Sequence, residues 1–284
     1  MHDDLVNLGW TEDQLSRIRT TVAEEAQRAR VLAQALPLSG PEERSTVSIP
    51  SFALAVDANP TPQRLTVNSE PILPLACIAI NVQLRSHEIA DPSLSAALVQ
   101  FRRAANIIAR LEDLLVANGW DPTVVPTPPP PLVYTVSLDR KTDGLLTVPG
   151  TVPVPTKVTS DVTVVSAIVE AIGLLEQNGN GAPYAAVLGH ELFQFAHVPS
   201  VAYVLPRDRV LPFLQGPLLR SSALPPDKGI VISLAGSPVE IVVASDISVR
   251  YLQTTLEPRY VFRVSERIAL RVKDPTAIAL LSKT

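Results

Sequence analysis

Between Ser45 and Leu84 the chain is forced to stay extended. Short runs of β-branched and aliphatic residues (TVSIPSFALAV, QRLTV, ILPLACIAINVQL) are cut by Pro50, Pro60, Pro62, Pro71 and Pro74. Proline fixes φ and carries no N–H, so it breaks helices and limits strand pairing to edges. The segment reads as a long, mostly two-stranded arm leading into one core strand. A two-stranded ribbon is marginal in water, so this arm is expected to find its hydrophobic partner on another subunit.

Composition points the same way. With 46% hydrophobic and only 18% charged residues, the 284-residue chain is neither disordered nor a polyelectrolyte, and it leans toward subunit-covered surface. Twenty-four Lys and Arg against 28 Asp and Glu give a net charge of -4, which argues against a protein whose main work is neutralising nucleic-acid phosphate. The single cysteine, Cys77, excludes an internal disulfide and is expected to be a buried thiol in the apolar run Ile72 to Ile80. The opening MHDDLVNLGW has two aspartates and no apolar core, so no secretory signal peptide is expected and the cytoplasm is the expected location. The uncharged stretch Pro122 to Leu138 contains Pro122, Pro126 and Pro128 to Pro131, which rules it out as a membrane helix; no membrane partner is expected.

Helical periodicity marks three segments. One helix is expected over Thr11 to Leu36, capped by Thr11, with Leu15, Ile18 and Val22 on one face. A spine helix over Ser93 to Asn118 carries Leu94, Leu98, Phe101, Ala105, Ile108, Leu111 and Leu115, with Ser93 as its cap and Gly119 as its stop. Its charges, among them Glu112 and Asp113, read as a solvated face. A third helix is expected over Asp161 to Gln177, then a strand at 185–189 and short helices near Glu191–Ala196 and Arg207–Leu214. Residues 121–160 read as a proline-rich insertion with a hairpin at Thr142-Asp143-Gly144, and the C-terminal third as strands at 229–235, 239–244 and 247–253 and a pair around Glu266-Arg267. The fold class is α+β, with long helices crossing largely antiparallel sheets.

The chemistry-bearing patterns are sparse. Gly189-His190-Glu191-Leu192-Phe193-Gln194-Phe195-Ala196-His197 invites a zinc reading, but a HExxH site needs histidines four apart on one helical face and these are seven apart. No nucleophile elbow, phosphate loop or dinucleotide fingerprint is present. The adjacent pairs Glu112-Asp113 and Glu24-Glu25 diverge by about a hundred degrees on a helix and read as solvent or inter-subunit partners. Trp10 and Trp120, beside helix ends, read as packing anchors. No metal, no cofactor and no catalytic residue is assigned.

The order of segments, carried by residues, resembles the encapsulin shell proteins (the linocin or culture-filtrate antigen family), which share the fold of tailed-phage major capsid proteins. Val82-Gln83-Leu84-Arg85-Ser86-His87-Glu88-Ile89 is similar to the family's strand into its spine. Ala109-Arg110-Leu111-Glu112-Asp113, then Gly119, resembles the spine's end. Gly181 to Gly189 resembles the Gly-Pro-Tyr turn, with an extra alanine; Gly216 to Leu224 resembles the turn before the final sheet; Ala244 to Tyr251 resembles a late strand. The chain departs at Ala235-Gly236-Ser237-Pro238, in the longer 121–160 segment, and in lacking an early-spine tryptophan that in some members holds flavin.

The resemblance implies an N-terminal helix and peripheral start over 1–43, an extended arm over 44–78, a peripheral domain over 79–120 and 229–284, and an axial domain over 121–228. It implies a non-enzymatic protomer of an icosahedral shell whose partners are copies of itself and a cargo enzyme bearing a short targeting peptide, with no nucleic acid expected. The implied cargo groove is formed by Leu15, Ile18, Val22, Ile241, Val243, Ile247 and Val249; the implied five-fold pore loop is His197, Val198, Pro199, Ser200, Val201, Ala202 and Tyr203, mostly apolar. A phage or prophage capsid protein that packages DNA is the first alternative. A metal-dependent enzyme using His190, Glu191 and His197 is the second, and a monomeric binding module using the PTPPPP segment at 126–131 the third.

Overall fold

The computed structural model describes residues 10–43, 45–57, 64–123, 134–198 and 204–283. In chain order its elements are α1 (Glu12–Ala29), α2 (Leu32–Ala35), β1 (Leu38–Ser39), β2 (Ser48–Pro50), β3 (Ala53–Asp57), β4 (Arg64–Asn68), β5 (Ile72–Pro74), β6 (Ala76–Arg85), α3 (Ser86–Ile89) and the spine α4 (Ser95–Asn118). There follow β7 (Gly119–Trp120), β8 (Tyr134–Ser137), β9 (Thr142–Asp143), β10 (Val152–Pro153), α5 (Asp161–Gln177), β11 (Tyr184–Leu188), α6 (His190–His197) and α7 (Pro206–Leu214). The chain ends with β12 (Leu218–Arg220), β13 (Lys228–Ser233), β14 (Val239–Thr254), β15 (Arg259–Val272) and β16 (Ile278–Ser282).

Two five-stranded sheets organise these elements. The first runs β1-β14-β15-β6-β8 and the second β10-β16-β13-β11-β12. Each has its own helices, and the second sheet is buried on both faces, with Ala185, Val187, Ile230 and Ile232 in the core of the first sheet and Ala186, Leu188 and Val231 under its own helices. Alternation along β6 turns Ile78, Ile80, Val82 and Leu84 inward, where they meet the spine stripe of Phe101, Ala105, Ile108 and Leu111 and the α1 stripe of Leu15, Ile18 and Val22. Val164, Ile168, Ile172 and Leu175 of α5 cover the second sheet with Leu192 of α6 and Leu214 of α7. Segment 229–284 contributes strands to both sheets.

Phe262 of β15 knits the first core together. It stacks on Trp10 at 5.2 Å, meets Phe101 edge-on at 5.4 Å and packs against Tyr251 at 5.6 Å. Trp10 is fixed by its indole N–H, which donates to the Ile89 carbonyl at 3.0 Å. It is the anchor that the sequence suggests. Trp120 is another, donating to the Leu138 carbonyl at 3.1 Å.

Five expectations are corrected. The N-terminal helix is not continuous to Leu36: the chain becomes extended at Arg30 (φ -66, ψ 136) and restarts as α2. Asp113 causes the break by accepting the backbone N–H groups of Val31 at 3.0 Å and Leu32 at 2.8 Å. Ser93 does not cap the spine; the Asp91 carboxylate accepts from the N–H groups of Ser93 and Ser95 and from both hydroxyls. Thr142-Asp143-Gly144 is no hairpin. Thr142 and Asp143 pair with Trp120 and Gly119, β8 pairs with β6, and Gly144 lies so close to the spine's end that a Cβ there would sit 2.2 Å from the Gly119 nitrogen. The two runs around Glu266-Arg267 are a single strand, β15, paired on both sides. Cys77 is half-buried, on the outward phase of β6 with Asn81 and Gln83.

Phe262→Ala is expected to destabilise the fold by about 3–5 kcal/mol, since it removes one ring and three ring contacts from a buried site; a urea melt measures it.

Candidate functional site

The surfaces that follow from this fold are the arm, the α1 and β14 face, and the join between α1, the spine and the first sheet. The arm comprises two short ladders: β2 pairs with β5 and β3 with β4. Its root is covered by the protomer's own sheet, Ile49 and Leu75 packing with Val242, Ala244 and Ala269. Its outer ladder is not, leaving Leu54 45%, Leu65 73% and Val67 56% exposed. Apolar side chains displayed together on a thin ribbon are the mark of an interaction surface.

The implied groove residues fall into two groups. Leu15, Ile18, Val22 and Ile241 are buried core in the single protomer, while Val243, Ile247 and Val249 are half-buried and pack against the same core from β14. Both groups belong to one layer, because α1 lies against β14. Only the second group retains surface for a further contact.

Of the implied pore loop, His197 and Val198 are described and Pro199, Ser200, Val201, Ala202 and Tyr203 lie outside the described residues. His197 ends α6, stacked on Phe193 at 4.0 Å with Nδ1 2.9 Å from the Phe193 carbonyl. His190 sits at the other end of the helix beside Gln194, and Glu191 pairs with Lys283 at 2.9 Å. The three metal-enzyme candidates therefore do not converge. Among the described residues no group of His, Cys, Asp or Glu is placed to hold a metal ion, and no described helix is long and apolar enough to cross a membrane. The polyproline segment 126–131 lies outside the described residues.

A cavity of about 840 Å³ opens at the C-terminal end of the spine, walled by Leu111, Leu115, Trp120, Lys141, His190 and Pro225 among others. Three of its polar side chains are engaged. Trp120 bonds Leu138, Lys141 faces Asp121 at 3.6 Å and Asn118 donates to the Ala223 carbonyl at 2.9 Å.

The carboxylates read as solvated are instead buried. Glu112 is 1% and Asp113 4% exposed, and Glu25 accepts from Asn106 at 2.8 Å and from Arg28. Glu112 and Glu266 converge on the Arg30 guanidinium, with Arg30 Nε donating to Glu112 at 2.5 Å, one Nη to Asp246 at 2.7 Å, and a further contact to Glu266. Burial works against the charge on Arg30, but the carboxylates of Glu266, Glu112 and Asp246 more than reverse it and hold its pKa above the ordinary arginine value. Burial raises Glu266 well above the usual carboxylate range, and the charge of Glu112 adds to this; burial also raises Glu112, against the pull of Arg30. One guanidinium cannot neutralise all of these acids in a dry site. The second Glu266 oxygen has no hydrogen-bond partner among the described residues. Both acids sit on the inward phase of their elements: Glu112 four residues after Ile108, Glu266 midway between Val264 and Ile268. That phase is the signal that would have found them.

Solved structures define the class by fold. The virus-like particle from Pyrococcus furiosus aligns with a TM-score of 0.72 over 94% of this chain and 98% of that one at 15% identity. The capsid of Myoviridae phage XM1 aligns with 0.63 over 89% and 91% at 13%, and the holo-SrpI encapsulin complex from Synechococcus elongatus PCC 7942 with 0.56 over 89% and 86% at 13%. The chain has the tailed-phage major capsid fold. Within that class, residues 131–269 match the family model described as encapsulating protein for peroxidase. A stretch of 141 residues is 31% identical to the type 1 encapsulin shell protein EncA of Myxococcus xanthus (strain DK1622), covering 49% of each chain, so the match spans about half the length of that relative. The resemblance to encapsulin shell proteins therefore holds in family model, in sequence relative and in fold.

Two outcomes follow from the buried acids. Arg30→Met strands Glu112 and Glu266 without their cation and is expected to cost about 3–5 kcal/mol, whereas Arg30→Met with Glu266→Gln recovers part of the loss in the same denaturation assay. Burial, opposed by the Leu32 N–H, pushes the Asp113 carboxyl from 3.8 up to about 7, so the folded protein holds a proton there that the unfolded chain has lost. The folded state binds more protons across that window, so stability falls as pH rises through it and levels off above. Melting temperatures at pH values across the window should show this decline, and Asp113→Asn should flatten it.

Proposed function

We propose that the chain is the protomer of a closed icosahedral protein shell that encloses cargo enzymes in the cytoplasm and performs no chemistry itself. The observation that carries this reading is the arm, which has a root packed on its own subunit and an outer ladder whose Leu54, Leu65 and Val67 stay exposed among the described residues. A neighbouring copy covers them in a closed assembly, where every subunit both gives and receives an arm. The match to a family described as encapsulating a peroxidase supports enclosure of an enzyme.

In this reading 44–78 is the arm, 79–120 with 229–284 the peripheral domain and 121–228 the axial domain, with residues 197–203 at the five-fold pore. Cargo is captured as a short peptide on the α1 and β14 layer, with Val243, Ile247 and Val249 in contact and Leu15, Ile18, Val22 and Ile241 holding the surface in shape from beneath.

Replacing Leu54, Leu65 and Val67 together with serine is expected to abolish closed particles, read by size exclusion and negative-stain microscopy, while circular dichroism of the subunit stays unchanged. Particles that persist in the triple variant contradict the role given to the arm, and nucleic acid inside wild-type particles would move the reading to a phage-type capsid. Ile247→Asp with Val249→Asp should leave particles intact but remove the enzyme that co-purifies with wild type from its native host.

A further inference from the structure

Between its two ladders the arm bends at Ser51-Phe52. Phe52 holds φ at +54, a left-handed conformation that costs an L residue about 1–2 kcal/mol and persists only where its surroundings impose it. Three contacts impose it here. Buried Ser51 donates its N–H to the Pro71 carbonyl at 2.9 Å, Leu54 donates its N–H to the Lys273 carbonyl at 2.8 Å, and the Arg271 guanidinium lies 5.1 Å from the centre of the Phe52 ring.

Arg271 is built in rather than draped over the surface. It is 7% exposed, its Nε donates to Glu240 at 2.6 Å and an Nη sits 2.5 Å from the same carboxylate, and Lys273 adds a second cation at 3.0 Å. Two cations share one carboxylate. The positive charge left over faces the electron-rich ring, an attraction that strengthens as water is excluded. The planar guanidinium suits this double role; a lysine ammonium, being a compact and strongly hydrated charge, does not.

We propose that Arg271 is a positioning residue which, by clamping Phe52, fixes the direction in which the arm leaves the protomer and so sets the diameter of the assembled particle. This rests on the shell reading. An arm whose direction is set before assembly can meet a neighbour at only one angle, and in a closed symmetric shell of identical subunits that angle determines the size.

Phe52→Leu keeps apolar bulk without a ring face, Phe52→Gly removes both bulk and backbone strain, and Phe52→Tyr keeps the ring. Phe52 lies on the partly exposed arm, so all three variants should fold. Two readings are taken on each: hydrogen exchange at the Leu54 amide and particle diameter by electron microscopy. Phe52→Tyr should match wild type in both. Phe52→Leu and Phe52→Gly should show faster Leu54 exchange and loss of the single diameter class. Particles of wild-type diameter and uniformity in both would overturn the inference, whatever the exchange rates. If wild type itself forms no particles the shell reading fails, and Leu54 exchange still decides whether the clamp exists: unchanged protection in both variants denies it.

Discussion

The protomer depends on how one guanidinium is kept in a dry place. Arg30 sits where α1 ends, the spine passes and β15 crosses beneath, and it joins all three through Glu112 and Glu266. Removing a charge from water costs several kcal/mol, so such a group stays only if its partners are fixed. Fixing them fixes the elements that carry them. Asp113, next to Glu112, accepts the first N–H groups beyond the break and so sets where the chain turns toward α2 and β1. The N-terminal helix is thereby held at a defined place on the spine, with its apolar stripe closed against the core and β14 alongside.

With that layer fixed, the division of labour among surfaces follows from what each sheet can cover. The spine and α1 cover one face of the first sheet, and α5, α6 and α7 cover the second sheet. On the other face of the first sheet the root of the arm is packed by a small cluster around Ile49, Leu75 and Val242. The outer ladder of β3 and β4 is a ribbon too thin to form a core. In the proposed shell, copies of the same chain cover this ribbon.

Much of this was legible in the sequence, for identifiable reasons. The spine and α5 follow from unbroken helical periodicity, and the arm from prolines that allow little but extended chain. What was missed depends on contacts between distant residues. The break at Arg30 has no local cause, since it comes from carboxylates some eighty or more positions away. Asp143-Gly144 has hairpin chemistry, but Gly144 is needed instead for close approach to the end of the spine. Glu112 and Asp113 read by residue type as solvated charges, and Glu266 as the join between two strand runs, whereas the phase of Glu112 and Glu266 among inward-facing neighbours puts them in the core. Cys77 was misplaced in the opposite sense, because an apolar run suggested burial while strand alternation put it on the outer side. The groove residues were legible as a layer, but which of them keep any surface depends on the depth of packing between α1 and β14.

The most direct test of the central claim is the mass and shape of the particle formed by the chain expressed alone, by analytical ultracentrifugation with electron microscopy of the same fraction. Closed, hollow particles of uniform size are the result this account predicts. A stable, soluble monomer or dimer at concentrations where the subunit is folded would contradict it, because the apolar tip of the arm would then need no partner.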